Sequence, residues 1–155
     1  MKTLIFLCII AAMVCGITPT VSAQAIAVIV NKSSSVSNLS MAEVKTYFKL
    51  ESQFWKNNER VVVATLAYEK PEATKFNSIV YEMPNDGVKK SWIQKIFRGQ
   101  VKEAPKLQRS DEDMLKFVAG TSGAIGFVTA DKVDASVKVV TIDGASPKDG
   151  SYKLK

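Results

Sequence analysis

The chain has 155 residues, is 46% hydrophobic and carries a formal net charge of +6, proportions that suit one domain with its own apolar core. It contains no histidine, and both cysteines, Cys8 and Cys15, fall within the first 23 residues. Everything after them lacks disulfides, thiolate nucleophiles and thiolate metal sites, together with the commonest general base and the commonest metal ligand.

Residues 1–23 read as a cleavable secretory signal. Lys2 gives the positive start, Leu4 to Val14 the apolar segment, and Val21-Ser22-Ala23 the small-residue cleavage site. A retained membrane anchor is the competing reading, but the apolar run falls short of the ~20 residues a span requires and ends at Pro19. Lipid attachment at Cys15 is disfavoured by Val14, where a small residue is the norm. Loss of Lys2, the one charged residue of this stretch, takes the net charge from +6 to +5. A basic exported domain suits a small anionic ligand, an acidic partner or the envelope surface, and the compartment disfavours nucleic acid.

Ala25 to Val30 is an unbroken apolar run and predicts a central strand. A polar loop, Asn31 to Asn38, leads to a capping box of Ser40 with Glu43, bracketed by a staple of Leu39 on Val44, and so to a helix through Tyr47 and Phe48. A polar connector with Trp55 precedes a second strand, Arg60 to Leu66. Pro71 suits the first position of a helix running to about Glu82, with Phe76, Ile79 and Val80 inward. A further helix begins at Asn85-Asp86 and closes at Gly99. Its Val88, Trp92, Ile93, Ile96 and Phe97 recur at three- and four-residue steps as an inner stripe, with Lys89, Lys90, Lys95 and Arg98 outside.

After a connector holding Pro105, Ser110 to Val128 forms one supersecondary unit. Ser110 caps a helix with Asp111, Glu112 and Asp113 in its first turn and Gly120 at its end; Thr121 to Gly123 turn the chain into an apolar strand, Ala124 to Val128. Gly126 inside that strand marks a close approach by another backbone or by a ligand. Val137 to Ile142 predicts a last strand, and residues 143–155 a flexible polar tail. Alternating strands and helices give an α/β sandwich, with a small, mostly parallel sheet of about four strands flanked by helices.

Ligands of open α/β sheets bind beyond the carboxyl ends of strands, where loops enter helices. Three segments are candidates for an oxyanion. Asn31, Lys32, Ser33, Ser34 and Ser35 offer hydroxyls and a cation; Tyr68 to Thr74 offers a helix N-terminus; Thr121, Ser122 and Gly123 precede the glycine-bearing strand. Each also has a plain reading as a solvated turn or a helix end. No paired carboxylates and no nucleophile with a base stand out, so a binding protein is expected rather than an enzyme, without cofactor or metal.

The segments Val28 to Ser40 with the helix after it, and GAIGFV from Gly123 to Val128, resemble the phosphate-type substrate-binding proteins of ABC transporters. Short single-lobe exported relatives, described as phosphate-binding-like, are more similar still. The resemblance runs from Ala25 to about Ile142 and implies a single lobe of a type II periplasmic-binding-protein-like fold. Two-lobed members close on phosphate with hydroxyls, amides and an arginine–aspartate pair, and their opening section, which carries one phosphate loop, has no counterpart here. Where they show Arg-x-Asp-Gly-Ser-Gly-Thr, this chain has Tyr68-Glu69-Lys70-Pro71-Glu72-Ala73-Thr74, so that Thr74 alone is retained and Glu72 replaces a serine. The resemblance implies a periplasmic solute-binding-type protein with a weakened or altered site for phosphate or a similar oxyanion. An ABC permease or another envelope protein would be its partner, with no stable membrane anchor. The alternative is a non-transport envelope module that uses the same fold to bind protein.

Overall fold

A computed structural model describes residues 24–155, so the expected signal peptide lies outside the described residues. In chain order the elements are β1 (Ile26–Asn31), β2 (Asn38–Leu39), α1 (Met41–Phe48), β3 (Val62–Leu66), α2 (Pro71–Val80), α3 (Asn85–Phe97), β4 (Lys106–Gln108), α4 (Asp111–Gly120), β5 (Ala124–Thr129), β6 (Val137–Val139) and β7 (Thr141–Ile142). The local signals hold where the chemistry is local. Ser40 and Glu43 form the reciprocal capping box of α1, Pro71 opens α2, and the Ser110 hydroxyl accepts from the Asp113 amide at the start of α4.

Five strands form the main sheet in the order β4-β3-β5-β1-β6, and β2 pairs with β7 in a small second sheet. β3 is parallel to β4 and β5, while β1 is antiparallel to both β5 and β6. Four strands therefore point one way and β1 runs against them. The sheet is mostly parallel, as expected, with one strand more than foreseen. Short, exposed β4 supplies it, within a segment that looks like connector because Lys106 and Gln108 carry no apolar signal.

Alternation along β5 sends its side chains into two packing layers. Phe127 stacks on Phe76 of α2 with ring centroids 3.8 Å apart, and Phe76 meets Phe48 of α1 edge-on at 4.6 Å. Gly126 faces the other way, against α4, where a Cβ would stand 2.5 Å from the Met114 sulfur and 3.2 Å from Val118. The glycine is thus a packing glycine that brings α4 down onto the sheet. Trp55 and Trp92 are both buried, the former donating from its indole to the Gly123 carbonyl at 3.0 Å.

Two expectations are corrected. The tail is not loose over its whole length: Tyr152 and Leu154 are buried, the Ile26 amide donates to the Leu154 carbonyl at 2.8 Å, and the Tyr152 hydroxyl donates to the Ile26 carbonyl at 2.8 Å. Two apolar side chains in a polar stretch suffice to anchor it, because β1 still had a free amide to offer. In α3 only Val88 and Trp92 of the expected inner stripe are buried; Ile93, Ile96 and Phe97 face outward. Val88 and Trp92 lie one turn apart on a common face, whereas Ile93 and Phe97 sit roughly 100° or more round the helix from them. The inner position near the end of α3 is taken by Lys95, whose ammonium donates to the Lys49 carbonyl at the end of α1.

Candidate functional site

Reversal of β1 splits the three candidate segments between opposite ends of the sheet. Asn31 to Ser35 follow β1 and Thr121 to Gly123 precede β5, so both lie at the amino end of the parallel strands. Tyr68 to Thr74 follow β3 at the carboxyl end. β5 has six residues, which places the two ends about 17 Å apart, too far for one small anion to touch both.

At the amino end the polar groups serve the protein. The Asn31 amide donates to the carbonyls of Val118 (2.9 Å), Ala119 (2.9 Å) and Thr121 (3.2 Å), closing the C-terminus of α4. Its carbonyl oxygen accepts from the Ser33 hydroxyl at 2.6 Å and the Ser33 amide at 3.0 Å. The Lys32 ammonium donates to the Ala135 carbonyl at 3.0 Å, the Ser34 hydroxyl accepts from the Val36 amide at 3.2 Å, and the Ser122 hydroxyl donates to Glu59. Gly123 has φ of +71°, and a Cβ there would lie 2.1 Å from the Arg60 carbonyl oxygen. The end of α4 also presents carbonyls and the negative pole of its dipole, which repels an anion.

The carboxyl end has the opposite character. In α2 the Glu72 and Ala73 amides lack intrahelical partners, Pro71 has no N–H, and the Thr74 amide already bonds the Lys70 carbonyl at 3.1 Å. Asn85, the first residue of α3, donates to the Tyr68 carbonyl at 2.7 Å and to the Thr74 hydroxyl oxygen at 2.9 Å, while accepting from Asn77 at 2.9 Å. The Thr74 proton has only the Lys70 carbonyl, 3.4 Å away, and the side chain is exposed, so this O–H is available to an outside acceptor. Tyr68, Glu69, Thr74, Asn85, Asp86 and Lys89 line an open recess of about 390 Å³. The Lys89 ammonium sits 4.9 Å from the Tyr68 ring centroid, and burial pushes the Tyr68 phenol up.

Carboxylates temper this positive potential. Glu69 and Asp86 share the recess and Glu72 stands in the first turn of α2. Asp111 at the start of α4 is raised by burial, accepts from the Thr129 hydroxyl at 3.1 Å, and interacts electrostatically with Glu72 and Lys70. Asn85 and Lys89 go unnoticed in sequence because their role comes from the α2–α3 hairpin; Pro84-Asn85 there signals only a helix start. Among the described residues no group of three or more carboxylate, histidine or cysteine side chains converges to hold a metal ion. No helix among them is long and apolar enough to cross a membrane.

This mixed sheet with helices on both faces gives an α/β lobe whose fold is like that of solved periplasmic-binding-protein-type structures. It is similar to a structure described as a phosphate ABC transporter substrate-binding protein with bound phosphate from Clostridium perfringens, with a TM-score of 0.65 and 20% identity. It is equally similar to an ABC-type phosphate transport receptor from Vibrio cholerae, at TM-score 0.65 and 20% identity, and less so to PstS from Borrelia burgdorferi, at 0.62 and 11%. Each alignment covers 80% of this chain and between 47% and 49% of the other, so the chain spans about half the length of these structures. No protein-family model and no curated protein matches it. At these identities the likeness is one of fold.

Proposed function

We propose that the chain is an exported solute-binding-type domain that holds phosphate or a similar small oxyanion weakly at the N-terminus of α2. One observation carries this reading: the fold matches, over 80% of the chain, half of a binding protein whose structure contains phosphate. Local chemistry supports it. The Thr74 hydroxyl, the Glu72 amide at the start of α2 and the Lys89 ammonium are donors suited to a tetrahedral anion. Asn31 to Ser34 and Thr121 to Gly123 belong in this reading to the scaffold, since the side-chain donors of Asn31, Lys32, Ser33 and Ser122 are occupied. Affinity is modest, because one open lobe leaves the anion largely in water and Glu69 and Glu72 oppose it. Delivery to an ABC permease is the corresponding role in transport.

Calorimetry with phosphate and sulfate tests the proposal. A weak binding heat is expected in the millimolar range, abolished by Thr74→Ala and strengthened about fivefold by Glu72→Ser, which removes a facing charge. No heat from either the wild type or Glu72→Ser overturns it. The acidic residues at the recess favour a second reading, a protein-interaction module of the envelope that binds no small ligand. Cross-linking in the periplasm would then capture one dominant partner, and a monomer alone would overturn that reading.

A further inference from the structure

The outer face of α3 is not used by the fold or by the proposed anion site. Phe97 is 92% exposed, Ile93 66% and Ile96 40%, so three large apolar side chains within five residues stand in water. The same stretch is strongly cationic. From Gly87 to Lys102 the sequence contains Lys89, Lys90, Lys95, Arg98 and Lys102 and no carboxylate. Lys95 is turned inward to the Lys49 carbonyl and Lys89 leans over Tyr68, but Lys90, Arg98 and Lys102 form no ion pair among the described residues. The neighbouring carboxylates are placed elsewhere: Asp86 at the start of α3 lies 4.0 Å from Lys89, Glu103 is held by Lys106, and Glu51 acts on the inward Lys95.

We propose that this ridge is a membrane-surface contact, with Phe97 and Ile93 entering the headgroup–acyl boundary of an anionic phospholipid bilayer and Lys90, Arg98 and Lys102 bound to the headgroups. Two features select a bilayer over a protein occupant. The apolar groups project from the outer face of α3, where a fluid surface can surround a nearly fully exposed phenyl ring. Basic residues, Lys90 and Arg98, flank them, which disfavours the centre of a protein interface but suits a boundary where the cation reaches back to the headgroups. The charge match supplies the remaining attraction, since basic residues near an anionic leaflet each add to binding.

Co-sedimentation of residues 24–155, which contain the whole described fold, with vesicles tests the assignment. Binding is expected to an equal mixture of phosphatidylcholine and phosphatidylglycerol and to fall with salt, with little binding to phosphatidylcholine alone. Phe97→Ser is expected to lower partitioning at least tenfold and Lys90→Gln about fivefold. Both positions are exposed, so unchanged circular dichroism verifies that the variants are folded. No binding to the mixed vesicles at low salt overturns the proposal. So does binding that Phe97→Ser leaves unchanged, which would reduce the effect to diffuse charge. A concentration-dependent dimer abolished by Phe97→Ser also overturns it, assigning the ridge to a second copy of the chain.

Discussion

Asn31 ties together two loops about ninety residues apart in sequence, and its side chain completes the end of α4 with three hydrogen bonds to backbone carbonyls. Asn31→Ala leaves those carbonyls, one of them buried, without a donor. It is expected to cost about 2 kcal/mol, read as a lower urea midpoint with unchanged slope. In sequence this asparagine looks like one more polar loop residue beside three serines, and nothing local reveals the carbonyls that it serves. Gly126 is the contrasting case. A glycine within an apolar run announces a close neighbour, and the Met114 sulfur and Val118 are that neighbour. A residue's own backbone demands are readable from its identity, whereas its long-range partners are not.

Among elements, α1 shows how far local chemistry reaches. The Glu43 carboxylate receives the Lys56 ammonium at 2.8 Å and the Ser40 amide at 2.9 Å, and these, the lysine first, hold it down to about 2. The folded state thus binds this proton less readily than the unfolded chain. The resulting stability is complete above the ordinary value of 4.5 and disappears as pH falls towards 2. The carboxylate is about one-third exposed, so screening limits the effect to about 1 kcal/mol. Wild type is expected to exceed Glu43→Gln by that amount at pH 6 and to match it near pH 2, measured by thermal unfolding. At the other end of the chain, deleting residues 151–155 removes the buried Tyr152 and Leu154 and should cost about 4 kcal/mol, seen as a lower Tm. The starts of α1, α2 and α4 were legible because a cap, or a proline at the first helical position, acts on near neighbours. The outward turn of Ile93, Ile96 and Phe97 was not, since a three-and-four spacing covers more of a helix than a neighbour can bury.

At the level of the whole molecule, the direction of β1 decides where a ligand can bind. Its apolar sequence identifies it as a buried strand but carries no mark of orientation, which depends on pairing with β5, more than ninety residues away. With β1 reversed, the two ends of the sheet acquire opposite electrostatic characters. Carbonyls close the end at Asn31 and Gly123, while the Thr74 hydroxyl and the start of α2 face outward at the other. The chain matches about half the length of each of these solved structures. The contact between the Ile26 amide and the Leu154 carbonyl has a further consequence for this compact lobe. Ile26, the first residue of β1, and Leu154, next to the last described residue, are side by side, so the two ends of the described fold lie close together. A circular permutant that joins Lys155 to Gln24 through a short glycine linker and opens at the exposed turn Asn57-Asn58 should keep the same circular dichroism and one cooperative melt. By the same geometry, the lobe could be spliced whole into a surface loop of a host protein without prising the host's loop ends apart.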